Sequence, residues 1–137
     1  MFEGKFIIAS GPVIVENGKL LVNKDPKDAF YKLPGGTIEE GIESLEEACK
    51  REVFEENNAR IQIERPLSPM ILWKNPTTKD RMAIVLIHYK AKLLNRDEIK
   101  PSGETTEVTW LDIEDIRKRK YNVAPNIYFP LEKGDLK

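Results

Sequence analysis

The segment that most constrains the fold is residues 44–57, which contain no glycine or proline. Its apolar residues recur at intervals of three and four, which places them on one face of an α-helix. These residues are Leu45, Ala48, Cys49 and Val53. Ser44, followed three residues later by Glu47, has the spacing of a capping box, and Asn58 tolerates the left-handed conformation of a helix C-terminal cap. The sequence therefore predicts one amphipathic helix with both ends defined.

The apolar stripe of this helix ends in three carboxylates. Helical periodicity continues the stripe through Glu52, Glu55 and Glu56. Like charges that are partly buried raise each other's pKa and destabilise a fold unless a cation compensates them. A solvated helix end is the alternative interpretation. The cation that best suits several carboxylate oxygens at this spacing is hard and divalent, such as Mg²⁺ or Mn²⁺.

The charge of the chain is unevenly divided. Its 137 residues carry 22 Lys and Arg against 23 Asp and Glu, which gives a net charge of −1. Eight of the 16 Glu lie in residues 39–56, a window with a charge of −6, so the remainder carries +5. An acidic cluster inside a mildly basic chain is a candidate site for a cation and for chemistry.

Length and composition predict one domain spanning residues 1–137. The single cysteine, Cys49, excludes an intrachain disulfide, and its place on the apolar stripe favours a core residue over a nucleophile. The apolar runs are too short to cross a bilayer, and no secretory signal is evident. We therefore expect a cytoplasmic protein without a membrane partner.

Strand and turn signals surround the helix. Asn17 and Gly18 lie between two apolar runs and predict a tight hairpin turn, since both residues accept positive φ. Residues 82–94 begin with a continuous apolar run and predict a strand buried on both faces. The tail, residues 121–137, is ambiguous and lacks a clear final helix. Strands around one strong helix predict an α/β (or α+β) domain with a mixed sheet.

The helix and the loop before it resemble a known signature. Leu33-Pro34-Gly35-Gly36 comes first, then Glu43, and then Arg51-Glu52-Val53-Phe54-Glu55-Glu56-Asn57-Asn58-Ala59. This pattern resembles the signature box of the Nudix hydrolases, the family of MutT-like nucleotide pyrophosphohydrolases. The chain departs from it twice: Ile42 is an extra residue in the spacer, and Asn58 replaces a glycine. The resemblance implies an α/β/α sandwich with a mixed sheet and a catalytic helix that follows the Gly-Gly loop.

The resemblance also implies roles for individual residues. Glu52 and Glu56 would be metal ligands, with the backbone carbonyl of Gly35 as a further ligand. Glu55 would complete the set as a ligand or as the base that activates water. Arg51 would orient these carboxylates, and the cofactor would be Mg²⁺ or Mn²⁺.

In this family the base often comes from a separate loop, where Glu104 and Glu107 are candidates in this chain. Exposed loop carboxylates without a catalytic role are the alternative. His88 is expected to be structural. Pro76 lies near the position of a proline found in some ADP-ribose hydrolases of the family, which is a weak indication of substrate. Several cations could contact phosphates: Lys24, Lys32, Lys74 and Arg81.

The function implied is hydrolysis of the pyrophosphate bond of a nucleoside diphosphate linked to another group, such as a nucleoside triphosphate or ADP-ribose. The alternative is a Nudix-like domain that has lost catalysis and binds a nucleotide as a sensor or scaffold. The partner expected is a small nucleotide. The short basic run at residues 117–120 does not predict nucleic-acid binding. A homodimer is left open.

Overall fold

The computed structural model describes residues 2–38, 41 and 43–137 and contains two sheets and three α-helices within them. The strands are β1 (Lys5–Val13), β2 (Val15–Glu16), β3 (Lys19–Lys24), β4 (Gly36–Thr37), β5 (Ile61–Pro66), β6 (Met70–Lys74), β7 (Arg81–Leu93) and β8 (Glu107–Asp112). The helices are α1 (Leu45–Asn57), α2 (Ile113–Arg117) and α3 (Pro125–Glu132), with a 3₁₀ turn at Arg96–Glu98. The inserted Ile42 lies outside the described residues.

The larger sheet is mixed, as the sequence predicted. Its strand order is β4-β1-β7-β5, and β6 also pairs with β7. Strands β1 and β7 run parallel, from Lys5 opposite Met82 to Val13 opposite Lys90, and the other pairs are antiparallel. A second, antiparallel sheet of order β2-β3-β8 accompanies it, where the sequence predicted one sheet.

Strand β3 separates two apolar cores. Successive side chains of a strand point to opposite faces, so Leu21 packs in the core beneath α1, while Leu20 and Val22 pack in the core beneath α2 and α3. Helix α1 contributes Cys49 and Val53, both fully buried, to the first core, and Ala48 of the same helix is fully buried too. The second core receives Ile113 and Ile116 from α2 and Ile127 and Leu131 from α3. Helices therefore cover both sides of the strands, in the α/β/α arrangement predicted.

The hairpin between β2 and β3 forms where the sequence predicted it. Asn17 has φ 52° and Gly18 has φ 74°, the two positive values that a type I′ turn requires. The ambiguous tail does contain a final helix, α3. Its Pro125 stands in the first turn, where a missing N–H costs nothing, while Pro130 lies inside the helix and obscured it in the sequence. Within the described residues, every helix is too short or too polar to span a bilayer.

Candidate active site

Helix α1 is capped at both ends, which sets the direction of its carboxylates. At the start, Glu47 N–H donates to Ser44 Oγ at 3.1 Å and Ser44 N–H donates to Glu47 Oε1 at 3.0 Å, the reciprocal pair of a capping box. At the end, Asn58 adopts φ 53° and its N–H donates to the Phe54 carbonyl. Asn58 thus serves as the left-handed cap in place of a glycine.

Gly35 and Gly36, here called the glycine pair, pass between strand β1 and helix α1 with no room for a side chain. A Cβ on Gly36 would lie 2.6 Å from the carboxylate of Glu52. A Cβ on Gly35 would lie 2.6 Å from the Ser10 carbonyl oxygen, and Gly35 also has φ 145°. Gly35 therefore requires glycine, because its φ is positive and a Cβ would strike the backbone of strand β1, whereas a Cβ on Gly36 would displace the Glu52 carboxylate.

Glu56 lies half-buried behind the glycine pair. Its Oε1 accepts hydrogen bonds from the Gly35 N–H at 3.1 Å and from Asn23 Nδ2 at 3.0 Å. Burial raises the pKa of Glu56 from 4.5 to about 7; the hydrogen bond from Gly35 opposes this rise, and the nearby charge of Glu52 adds to it. A carboxylate in this setting gains most from a neighbouring cation.

Glu52 touches the other member of the glycine pair. Burial raises its pKa, while Arg51, whose Nη1 lies 3.0 Å from Glu52 Oε1, lowers it. The two carboxylates with raised pKa values are thus the two that contact Gly35 and Gly36. Carboxylate oxygens of like charge, held at a segment without side chains, form a donor set that suits a hard divalent ion.

Arg51 binds carboxylates on the opposite flank of the helix. Its Nε donates to Glu43 Oε2 at 3.0 Å and its Nη2 to Glu43 Oε1 at 2.8 Å, a bidentate pair. Nη1 donates to Glu55 at 3.2 Å, and Nη2 also reaches the Thr37 carbonyl at 3.2 Å. The hydrogen bonds to Glu43 are the main cause that raises the pKa of Arg51 further above its ordinary value. The guanidinium therefore contacts carboxylates that the sequence predicts it to orient.

Glu55 stands apart from Glu52 and Glu56. Its side chain is 57% exposed and pairs with Arg51. Within the described parts of the chain, no three His, Cys, Asp or Glu side chains converge closely enough to form a ready metal site. Of the four predicted ligands, the structure brings Glu52, Glu56 and Gly35 together and leaves Glu55 on the exposed flank.

The two candidate loop bases differ in their surroundings. Glu104 is exposed, and its loop is joined to the end of α1: Ser102 N–H donates to the Glu56 carbonyl at 3.0 Å, and Lys100 N–H to the Asn57 carbonyl at 2.9 Å. Glu107 lies in β8, where its carboxylate accepts a hydrogen bond from Tyr31 Oη at 2.9 Å. Glu104 is therefore the one whose loop borders the helix carboxylates.

Comparisons with known proteins identify the family. The sequence model of the NUDIX domain matches residues 7–130. The chain belongs to the NUDIX family.

Its relatives include a "MutT-like protein" from Streptomyces ambofaciens, 29% identical over 117 residues, which are 85% of this chain and 70% of the relative. A solved NUDIX hydrolase from Nitrosomonas europaea superposes with a TM-score of 0.75 at 21% identity, over 97% of this chain and 92% of that one. A bifunctional NMN adenylyltransferase/ADP ribose pyrophosphatase from Francisella tularensis, complexed with AMP and a manganese ion, superposes with a TM-score of 0.67 at 18% identity, over 96% of this chain and 42% of that one.

NUDIX hydrolases are enzymes that act on the pyrophosphate bond of nucleoside diphosphate derivatives. In this NUDIX domain the matched region includes the glycine pair, all of α1 and the loop of Glu104. The carboxylate-bearing helix α1 therefore lies within the part of the chain that matches this family of hydrolases.

A cavity opens on the other side of the glycine pair. It measures about 650 Å³ including its open mouth. Its walls are mainly apolar, with Leu72, Pro76, Ile84 and Leu86, and its polar side chains include Ser10, Lys32, Thr77, His88 and Asn126. Gly35 and Gly36 line it too, so the NUDIX carboxylates and the cavity share one short segment of backbone.

The charged side chain of this cavity is held by two acids. Lys32 Nζ lies 2.5 Å from Asp25 Oδ2 and 3.1 Å from Asp28 Oδ2. Burial alone lowers the pKa of Lys32, but the hydrogen bonds and charges of both Asp residues together raise it. Lys32 thus stays protonated in the cavity wall. No sequence motif includes Asp25 or Asp28, so their pairing with Lys32 was not predicted from the sequence.

His88 and Cys49 have the structural surroundings expected of them. His88 is buried, with Nδ1 3.1 Å from the Gly11 carbonyl and Nε2 3.4 Å from Asn126 Nδ2. These partners indicate the neutral tautomer with the proton on Nδ1, and burial lowers the pKa of His88. Burial raises the pKa of Cys49 to about 12, so the thiol is not a nucleophile near neutral pH.

Proposed function

We propose that this chain hydrolyses the pyrophosphate bond of a nucleoside diphosphate linked to another group, with Mg²⁺ or Mn²⁺ bound by Glu52 and Glu56. The observation that carries the proposal is that both carboxylates contact the glycine pair and both have raised pKa values. A cation at this place would relieve the mutual repulsion that the fold maintains. A Cβ at Gly36 would displace the Glu52 carboxylate, so the absence of a side chain there keeps this carboxylate beside the backbone of the glycine pair.

When bound, such an ion neutralises phosphate charge and lowers the pKa of a coordinated water. The backbone of Gly35 is the further ligand proposed. The neighbour from Francisella tularensis that contains manganese and AMP supports a divalent ion on this fold. Mg²⁺ and Mn²⁺ share the same preference for carboxylate oxygens, so the choice between them is left to experiment.

The remaining residues orient the carboxylates and accept a proton from water. Arg51 pairs with Glu43, Glu52 and Glu55 and orients them. The proton of the attacking water is taken by one of two carboxylates. These are Glu55, which is exposed at the edge of the helix, and Glu104, whose loop is joined to the helix. Both carboxylates are exposed and therefore accessible to water.

The cavity is proposed as the site for the nucleoside or for the second group of the substrate. A pyrophosphate that lies along the glycine pair would place its two substituents on either side of the segment. The apolar walls suit a base or a ribose, and Lys32 offers a positive charge. Pro76 lies in the cavity wall, which supports ADP-ribose as one of the substrates to test.

A metal-dependent activity screen tests the proposal. The purified protein is incubated with nucleoside triphosphates, ADP-ribose, dinucleoside polyphosphates and nucleotide sugars, with Mg²⁺ or Mn²⁺ and with EDTA. The nucleotide products are separated and measured by anion-exchange chromatography, because ADP-ribose and nucleotide sugars yield two phosphomonoesters and no free phosphate. We expect turnover of at least one class that EDTA abolishes and that Glu55→Gln/Glu56→Gln removes. Turnover that survives the double substitution would contradict the mechanism, and nucleotide binding without turnover would support the sensor alternative. The cytoplasmic location and a homodimer stay predictions.

A further inference from the structure

A pair of buried amides joins strand β3 to helix α1 beside Glu56. Asn23 and Asn57 are both fully buried. Asn23 Nδ2 donates to Asn57 Oδ1 at 2.9 Å, and Asn57 Nδ2 donates back to Asn23 Oδ1 at 2.7 Å. Burying a side-chain amide is costly unless its polar atoms are paired, so this reciprocal arrangement is specific for both residues.

The same Asn23 amide reaches Glu56. Its Nδ2 also donates to Glu56 Oε1 at 3.0 Å, so both of its N–H groups are used. The pairing with Asn57 sets the orientation of the amide, because the reverse orientation would place Oδ1 of Asn23 against the carboxylate. Asn57 thus determines which atom of Asn23 faces Glu56.

The backbone of Asn23 is tied to the strand segment that leads into the glycine pair. Asn23 N–H donates to the Lys32 carbonyl at 2.8 Å, and Lys32 N–H donates to the Asn23 carbonyl at 2.9 Å. Three residues after Lys32, the Gly35 N–H donates to the same Oε1 of Glu56 at 3.1 Å. Asn23 therefore connects the helix, the strand and the glycine pair at one carboxylate oxygen.

Both hydrogen bonds that reach the Glu56 carboxylate from the described residues end on Oε1. We infer that Asn23 is a positioning residue for Glu56: it holds Oε1 so that Oε2 is the oxygen presented to the divalent ion. This inference rests on the proposed function. Residues that hydrogen-bond a ligand and fix its orientation typically change metal affinity by about 10–100-fold when they are replaced.

An isosteric substitution separates this role from packing. Asn23→Asp keeps the shape of the side chain but replaces the donor by an acceptor that faces Oε1 of Glu56. Asn23→Ser removes the reach of the amide without adding a charge. Asn95→Asp is the matched control. The Asn95 side chain also makes two hydrogen bonds, donating to the Asn58 carbonyl at 2.9 Å and accepting from Arg60 N–H at 2.7 Å, and among the described residues neither bond reaches the side chain of Glu52, Glu55 or Glu56.

Binding of Mn²⁺ is measured on the purified full chain by the loss of the free-ion EPR signal, with folding checked by near-ultraviolet circular dichroism. We expect affinity to fall by about ten-fold or more for Asn23→Asp and Asn23→Ser and to stay at the wild-type value for Asn95→Asp. The activity lost by the Asn23 variants should return as Mn²⁺ is raised, with the KM for nucleotide unchanged at saturating metal. A purely structural role would lower stability without this dependence on metal.

A second measurement needs no variant to fold. In ¹⁵N-labelled wild-type protein, Mg²⁺ is titrated while the side-chain NH₂ resonances are followed. The Asn23 signal should shift along the same binding curve as the Glu56 and Gly35 amides, and the Asn95 signal should stay in place. If Mg²⁺ shifts Glu56 and Gly35 but not Asn23, or if folded Asn23 variants bind Mn²⁺ as wild type does, the inference is wrong while the proposed function stands. If wild-type protein binds neither ion near Glu56, the proposed function itself fails.

Discussion

The two flanks of helix α1 carry carboxylates in opposite environments. On the inner flank, Glu52 and Glu56 contact the glycine pair, and burial raises the pKa of both. On the outer flank, Glu43 and Glu55 are paired with the guanidinium of Arg51. The outer flank thus has its own cation within the protein, whereas on the inner flank only Glu52 shares that cation and Glu56 relies on hydrogen bonds from neutral donors.

This difference shows how one acidic helix can serve two purposes. Neutral donors such as Asn23 and the Gly35 N–H hold Glu56 in place without neutralising it. An inner carboxylate therefore remains available to an external ion, while an outer one is already compensated. Arg51 spans the boundary, since its Nη1 also lies 3.0 Å from Glu52.

The largest effect is expected where the inner flank loses a charge. Glu56→Gln keeps the shape and the acceptor for Asn23 but removes the negative charge, so kcat/KM should fall by about 10²–10³-fold, as for other lost transition-state stabilisation. Glu46→Gln, an exposed first-turn residue of the same helix, is the matched control and should retain full activity. The kcat/KM of both variants is measured by steady-state kinetics at saturating Mg²⁺. Equal activity of the two variants would contradict a special role for the inner flank.

The pH dependence of stability should distinguish the flanks next. The folded-state pKa of Glu56 is raised from 4.5 to about 7, so the folded state binds the proton more tightly than the unfolded state. Stability of the metal-free protein therefore falls as pH rises through this window, by at most about 3 kcal/mol. Glu56→Gln should remove that loss.

The measurement is urea unfolding of both proteins in EDTA from pH 5 to 8. His88 acts in the opposite direction, because burial lowers its pKa and its contribution to stability is lost as pH falls below 6.5. His88 contributes equally to the stability of both proteins, so its contribution cancels when the free energies of unfolding of wild type and Glu56→Gln are subtracted. Parallel curves would show that Glu56 does not carry a buried charge.

On the outer flank a smaller effect is expected. Arg51→Lys keeps the charge but loses the bidentate pair with Glu43 and the simultaneous contacts with Glu52 and Glu55, so kcat should fall by about 10-fold or somewhat more. Arg117→Lys is the control, since Arg117 makes a single exposed pair with Glu114. Retention of wild-type kcat by Arg51→Lys would mean that orientation by the guanidinium is unnecessary.

The smallest effect concerns the cavity wall. Thr77 Oγ1 donates to the buried Asp28 Oδ1 at 2.6 Å and thereby fixes the loop that carries Pro76. Thr77→Val removes this hydrogen bond, worth about 1 kcal/mol, so KM should rise by about five-fold with kcat unchanged. Thr78→Val, in the same loop but with no contact to Asp28, is the control. A change in kcat alone would place this loop at the chemistry instead.

Local signals in the sequence predicted the helix and its carboxylates well. The capping box at Ser44 and the left-handed Asn58 depend on neighbours within four residues, and both form as expected. The turn at Asn17 and Gly18 is equally local. By contrast, Pro130 concealed α3 in the sequence, because a proline inside a helix removes one backbone hydrogen bond. In the structure, burial of Ile127 and Leu131 in the second core outweighs that loss, and this packing was not evident from the sequence.

Contacts between distant residues could not be predicted. Asn23 and Asn57 are 34 positions apart, and an asparagine in a strand carries no indication of a partner. The division of the carboxylates was hidden for the same reason: Glu55 and Glu56 are adjacent in sequence, yet only Glu56 faces the glycine pair, since this depends on the path of the Gly35 backbone. Tertiary structure, and not helical periodicity, separates the carboxylate at the glycine pair from the exposed one.

The metal site on the inner flank is tested most directly by a crystal structure of the protein grown with Mn²⁺, with anomalous scattering recorded at the manganese edge. We expect an anomalous peak at the inner flank, coordinated by Glu52 and by Oε2 of Glu56, with Asn23 still bonded to Oε1. A peak confined to the outer flank, or none at saturating Mn²⁺, would contradict the proposed site.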